Sequence, residues 1–305
     1  MLLVTMALSV LLVGHRTAES HSYPTTQEVD PKFQAPINKT NLIRHLIGQV
    51  SPQDSNAVTY LAYHGAVMAQ DGYYGFIGTM DVYGLQLKPG QGSAAAVWVV
   101  DDGDGTLSSK KNIMIGWDVL PEVYGDSRTY FYTKWTNDGF QSTGCLNMEC
   151  PGFRPEKGAA IAPGQVIDHV LEPKATKPKL NLKIIKDGTS GDWLIHAGLN
   201  REPALIGSFP RSLFTDGFSD KANGVLFGGV VTAPITNPPP MGSGYLPTSE
   251  NSAASISNIQ LIDQNGRGWP LTGDLPKFET NGNAYAVSPI VNGKFFYGGY
   301  EHPKK

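Results

Sequence analysis

From residue 57 onward, short runs rich in β-branched and aromatic residues alternate with clusters of Gly, Pro, Asp and Asn. Such a pattern is typical of strands separated by turns. We predict eleven strands, at residues 58–67, 73–87, 95–100, 113–120, 130–136, 180–185, 192–197, 204–209, 225–232, 255–263 and 295–297. Many short strands joined by Asp-Gly and Asn-Gly turns favour an all-β fold, either an antiparallel sandwich or a barrel.

Helix signals are few. Residues 210–218 have one, with a proline at the first position. Residues 41–50 could form a second short helix. The predicted fold therefore contains at most one or two short helices beside its strands.

The N-terminus differs in character from the rest of the chain. Residues 2–13 are almost continuously apolar, and small residues lie at Ala18 and Ser20. This apolar run is too short to span a bilayer but suits a secretory signal peptide at residues 1–20. Because no Lys or Arg precedes the run, a short membrane anchor is the alternative.

Residues 21–56 are polar and contain several prolines. The N-glycosylation sequon at Asn38 indicates that this segment is exposed. We interpret it as a linker or a remnant pro-region, followed by a β domain at residues 57–305. The sequence thus predicts a secreted, extracellular glycoprotein that has no membrane contact once the signal is removed.

Charge and histidine content bear on the class of partner. The net charge is only -3, which gives no reason to expect a nucleic acid or an anionic membrane. The seven histidines are scattered without metal-ligand spacing. We therefore expect no metal and no cofactor. The oligomeric state is left open.

Cys145 and Cys150 are the only cysteines. This spacing alone is a poor zinc signal without a second pair, whereas a disulfide persists in a secreted chain. We predict a Cys145–Cys150 disulfide. Closing so short a loop removes little entropy from the unfolded chain, so its role is to shape the loop.

Several motifs, taken together and in order, resemble the neprosin family of plant secreted proteins. They are Gly116-Trp117, Tyr124-Gly125-Asp126, residues 135–140 and 142–145, residues 150–153, Gly191-Asp192-Trp193-Leu194, residues 206–210, Phe227-Gly228-Gly229, residues 241–244 and Tyr297-Gly298-Gly299. The resemblance implies an antiparallel β-sandwich of two large sheets. It also implies a glutamic peptidase that cleaves after proline, with two glutamates facing each other in a cleft.

The chain departs from that family at both glutamate positions. One lies two residues before Gly-Trp, where Met114 stands, and the other follows Gly-Gly, where Val230 stands. A slip by one residue would turn the side chains to the wrong face of the strand. Paired carboxyls are needed because one must activate water while the other holds a proton. A thioether and an isopropyl group do neither, so we expect a pseudoenzyme that keeps its cleft for a peptide or another extracellular ligand.

Two other functions stay open. The first is an active proline-directed endopeptidase that uses a different carboxylate, foremost Asp118, which shares a strand face with Met114. The remaining carboxylates near the two strands are Glu122, Asp126, Asp216 and Asp220. The second alternative is a structural extracellular or cell-wall protein.

Aromatic side chains near these strands are candidates for the cleft lining. They are Trp117, Tyr124, Trp135, Phe227 and Tyr245. Aromatic linings suit a proline-rich or extended peptide, because a polyproline helix loses little entropy on binding. Plain core packing is the alternative role for each of these residues.

Overall fold

The computed structural model describes residues 57–67, 71–168, 170, 178–234, 238–248 and 253–300. These residues form two large antiparallel sheets that share one hydrophobic core, which confirms the predicted all-β sandwich. The signal peptide, the segment 21–56 with Asn38 and the possible helix at 41–50 lie outside the described residues, so those statements stay predictions.

The first sheet has seven strands. Their bounds are β1 (Ala57–Val67), β3 (Gly92–Asp101), β4 (Lys111–Val119), β5 (Tyr130–Thr136), β6 (Cys145–Leu146), β11 (Gly224–Pro234) and β14 (Lys277–Glu279). The spatial order is β14-β1-β11-β3-β4-β5-β6. Strands β3, β4 and β5 form a local meander, while β11 comes from late in the chain and lies between β1 and β3.

The second sheet has nine strands. Their bounds are β2 (Gly75–Asp81), β7 (Arg154–Pro155), β8 (Lys179–Lys186), β9 (Trp193–Leu199), β10 (Ala204–Phe209), β12 (Ala254–Ile262), β13 (Gly268–Pro270), β15 (Tyr285–Val287) and β16 (Phe295–Gly299). The order is β15-β16-β12-β2-β8-β9-β10-β7, and β13 pairs with β12.

The helical content differs in detail from the prediction. One short helix, α1 (Pro121–Tyr124), follows β4, with Pro121 at its start. The helix predicted at 210–218 is wrong. Two 3-10 turns, Arg211–Leu213 and Asp216–Ser219, lie there, separated by extended backbone at Phe214. This break lets Phe214 and Phe218 pack edge to face, 4.8 Å apart, within the core.

The central strands β4 and β5 of the seven-stranded sheet are buried on both faces. On β4, Ile113, Ile115 and Trp117 point toward the nine-stranded sheet and join the main core between the sheets. Met114, which alternates with them, belongs to a second cluster on the other side of the sheet. We call this second group the outer-face cluster; its members are Leu61, Ala94, Ala96, Trp98, Val100, Met114, Tyr132 and Val230.

Within the described segments, no helix is both long enough and apolar enough to cross a membrane.

Candidate functional site

Met114 and Val230 both lie in the outer-face cluster. Met114 is fully buried and Val230 is 2% exposed. Neither belongs to the main core between the sheets, so both side chains lie on the outer face of the seven-stranded sheet. Their surroundings are apolar, since their neighbours in the cluster include Leu61, Ala94 and Trp98.

The register of the strands determines which outer-face residues are neighbours of Met114 and Val230. Val230 pairs with Ala94, and Ala94 pairs with Asp118, so these three form one row across the sheet. Met114 pairs instead with Trp98, four residues farther along β3. At about 3.4 Å per residue, the two rows are roughly 13 Å apart along the strands. Asp118 therefore shares a row with Val230, two strands away across Ala94, whereas Met114 lies in a different row and does not face Val230.

A small cavity lies beside this row. Its volume is about 10 Å³, which is room for about one water molecule. The residues that line it are Gly92, Ser93, Ala94, Asp118, Leu120, Tyr132, Lys134, Leu146 and Val230. The wall is thus mostly apolar, with one acidic and one basic side chain.

Asp118 is the acidic group of the cavity and is only 1% exposed. Its Oδ2 accepts a hydrogen bond of 3.4 Å from the Tyr124 hydroxyl. Its Oδ1 is buried and has no hydrogen-bond partner among the described residues. Burial raises the pKa of Asp118 well above its usual value, and the hydrogen bond from Tyr124 and the charge of Lys134 oppose that rise.

Lys134 is the basic group and is 3% exposed. Within the described chain its Nζ has no hydrogen-bond acceptor, but it lies 4.2 Å from the centre of the Phe140 ring. Burial lowers the pKa of Lys134 to about 7, against the opposing influence of Asp118. A buried acid and a buried amine with opposite pKa shifts are a pattern typical of functional sites.

Three of the aromatic residues expected to line the cleft lie elsewhere. Trp117, Trp135 and Phe227 belong to the main core between the sheets, so the expectation that they line the cleft is wrong. The reason is the two-residue period of a strand. Trp117 is three positions from Met114, and Phe227 is three from Val230, so each points to the opposite face.

Tyr124 does belong to the site. Its hydroxyl donates to Asp118 and accepts a hydrogen bond of 3.1 Å from the Asn147 side-chain amide. Its ring stacks on that of Tyr130 at 3.8 Å. Tyr245 is half-buried and does not line the cavity, so it has no place at this site.

The other candidate carboxylates are solvated or paired. Asp126 forms a salt bridge with Arg128, Asp216 with Lys111 and Asp220 with Arg211. Glu122 is exposed at the start of α1. Among the residues the structure describes, no group of three or more His, Cys, Asp or Glu side chains could hold a metal ion.

The predicted disulfide is confirmed. Cys145 and Cys150 are bonded, with their Cα atoms 5.8 Å apart. The bridge closes a loop at the edge of the site, since Leu146 lines the cavity and Asn147 holds Tyr124. Asn147 is also tied to β5, because its Oδ1 accepts from the Thr133 backbone N–H at 3.1 Å.

Sequence reasoning missed Lys134 and Tyr132 as members of the site. Both lie on β5 at positions of the same parity, and Lys134 pairs with Met114 across the sheet. The available signal was a lysine on the same strand face as Tyr132 and Met114, where its neighbours are apolar or aromatic.

This chain is similar in sequence and in structure to known proteins. A family model described as Neprosin matches residues 89–300. Among solved structures, the chain is similar to a scytalido-glutamic peptidase determined with a transition state analog inhibitor, at 10% identity and a TM-score of 0.40, covering 78% of this chain and 98% of that chain. It is also similar to SCP-B, a member of the Eqolisin family of peptidases in a complex with the tripeptide Ala-Ile-His, at 8% identity and a TM-score of 0.38, with the same coverage.

Proposed function

Because this chain belongs to the Neprosin family, we propose that it is a secreted, catalytically inactive member that binds an extended, proline-containing peptide. The peptide would lie along the accessible rim of the outer-face cluster, where partly buried side chains pack against it. The observation that carries this proposal is the pair of apolar residues, Met114 and Val230, buried on that face at the positions where the resemblance places glutamates.

The loss of activity follows from acid–base chemistry. A peptidase of the glutamic type needs one carboxylate to activate water and one carboxylic acid to protonate the leaving amine. Removing a single general acid or base costs about 10²–10⁴-fold in rate. Here Met114 and Val230 supply neither group, and among the described residues that line the cavity Asp118 is the one carboxyl.

The accessible rim supports a peptide as the ligand. Four partly buried residues pack against the outer-face cluster: Tyr63, Phe140, Leu146 and Leu226. Tyr63 also stacks on the exposed Phe278 at 5.3 Å, which extends the aromatic surface toward β14. Aromatic and aliphatic surfaces of this kind suit a polyproline helix, whose preformed shape reduces the entropy lost on binding.

Secretion is part of the proposal. The apolar segment 2–13 and the small residues at positions 18 and 20, which suit a signal-peptidase site, support export. The Cys145–Cys150 disulfide supports it as well, because disulfides persist in oxidising compartments. Expressing the full chain with a C-terminal tag in a secreting host tests this: N-terminal sequencing of tagged protein in the medium should start near residue 21. Retention of the whole chain inside the cell would contradict export.

The test of inactivity combines an assay and a binding measurement. Purified protein is incubated between pH 3 and pH 6 with a fluorogenic proline-containing peptide, and the same peptide is titrated in a calorimeter. We expect saturable binding without turnover. Steady turnover by the wild-type protein would refute inactivity, and absence of binding to any proline-rich peptide would refute the peptide-binding role.

One observation favours a second candidate, an endopeptidase that uses Asp118. Burial raises the pKa of Asp118, and this group lies in the same row of the sheet as Val230, two strands away across Ala94. A protonated carboxyl at that place has the character of a general acid. Turnover that disappears in Asp118→Asn but persists in the surface variant Asp220→Asn would establish this candidate instead.

A further inference from the structure

The cavity beside Asp118 combines a hydrogen-bond acceptor and a donor that are both unpaired. Asp118 Oδ1 and Lys134 Nζ are buried, and neither has a hydrogen-bond partner in the described parts of the chain. Leaving such groups unpaired in an apolar surrounding costs about 1–3 kcal/mol each, and more when they are charged. Groups of this kind need a partner, and both residues line the same cavity.

The size and walls of the cavity restrict what that partner is. A volume of about 10 Å³ admits a group about as large as one water molecule. Ala94, Leu120 and Val230 form apolar walls around it. Leu146 is the one lining residue that is partly exposed, so a ligand would enter beside the disulfide loop.

Hydrogen-bond chemistry then selects the group. A hydroxyl both donates and accepts, so it complements an ammonium with a carboxylate and equally a neutral amine with a carboxylic acid. A carbonyl oxygen only accepts, so it would leave an ionised Asp118 unpaired; an ammonium only donates and would be repelled by protonated Lys134. A methyl group would leave both Asp118 and Lys134 unpaired.

We infer that Asp118 and Lys134 form a subsite that takes one aliphatic hydroxyl group of the bound peptide. The ligand class is therefore a proline-containing peptide with a serine, threonine or hydroxyproline at one position. This inference rests on the proposed peptide binding and adds to it a rule of specificity. The hydroxyl would donate to Asp118 Oδ1 and accept from Lys134 Nζ.

The experiment uses the wild-type chain and two matched peptide series. One series of acetylated, amidated proline-rich decapeptides has a single Ser at each position in turn, and the other has Ala there. A hydrogen bond to a charged buried group is worth about tenfold to a hundredfold in affinity, so one Ser peptide should bind that much more tightly than its Ala partner.

Variants show whether the preference comes from this cavity. Lys134→Met removes the donor and Asp118→Leu removes the acceptor, so each should reduce the preference for Ser over Ala to less than about threefold. The matched control is Lys183→Met, a half-buried lysine on β8 of the other sheet, which should keep the full preference. Circular dichroism and thermal unfolding check that each variant is folded.

The outcomes separate the two proposals. Equal binding of every Ser and Ala pair by the wild-type protein would overturn the subsite, which would then hold ordered solvent only, and would leave peptide binding intact. A Ser preference that survives in Lys134→Met would also overturn it. If neither series binds, the proposed function itself fails, and the subsite with it.

Discussion

Replacing Lys134 by methionine should make the protein more stable, by an amount that depends on pH. Lys134 is 3% exposed, and burial lowers its pKa from 10.5 to about 7. At 1.36 kcal/mol per pKa unit, that difference corresponds to about 5 kcal/mol of cost for burying the charged form. Attraction between Nζ and the Phe140 ring, 4.2 Å away, offsets about 1–2 kcal/mol. Methionine has a similar length and no charge, so we expect a gain of about 3–4 kcal/mol at pH 6.

The sign of the pH dependence follows from proton binding. Between pH 7 and pH 10.5 the unfolded wild-type chain holds a proton on Lys134 that the folded chain has released, so wild-type stability rises with pH across that window. The advantage of Lys134→Met is therefore fully present below pH 7 and declines as the pH approaches 10.5. Denaturant unfolding at pH 6, 7.5, 9 and 10 measures it. A gain of the same size at all four pH values, or a loss at pH 6, would refute this account of Lys134.

Three further predictions concern other parts of the structure. Asp118→Asn should have little effect on the free energy of unfolding at pH 3 and should increase it at pH 7. The reason is that the pKa of Asp118 is raised in the folded protein, so wild-type stability falls as pH rises from 3.8 through the folded-state pKa. Denaturant unfolding at both pH values measures this, and a destabilised variant at pH 7 would contradict it. Trp117→Ala should lower the free energy of unfolding by about 3–5 kcal/mol while leaving peptide affinity unchanged, because its ring lies in the main core; a large affinity loss in a folded variant would return Trp117 to the binding surface. Replacing both cysteines by serine should cost only about 2 kcal/mol in thermal unfolding, since the bridge closes a short loop, and complete unfolding would show that it supports the whole sheet.

Much of the sandwich was predictable from hydrophobic patterning. The strands predicted at 130–136 and 204–209 match β5 and β10 residue for residue, because their alternation and flanking turns are both strong. The strand predicted at 73–87 was too long, since β2 ends at Asp81. After Asp81, Val82, Leu85 and Leu87 are still buried, but they do not pair with a neighbouring strand among the described residues. The apolar pattern therefore continues beyond the end of the strand. The two- and three-residue strands, such as β6 and β7, are too short to show any period.

The candidate site was less predictable than the fold. The parity of Met114 and Asp118 along β4 was readable, and the structure confirms that both lie on the outer side of the sheet. Parity also placed Trp117 on the other face, although its aromatic character had favoured a cleft role. The row that joins Val230 to Asp118 was not readable, because it depends on the register of strands distant in sequence. The cavity between Asp118 and Lys134 arises from that same register.

The position of β11 has a consequence for how the protein is made. Strands β3, β4 and β5 pair with one another locally, and all three are available once residue 136 has been synthesised. The other edge of β3 stays unpaired until β11 has been synthesised. Until residue 234 is available, the run Ala94–Val100 presents an unpaired apolar edge, which is prone to associate with other chains. Chains that end before β11 should therefore aggregate during synthesis. Folding of the whole domain should be slow, because the central pairing of β3 with β11 joins residues more than 120 positions apart in sequence.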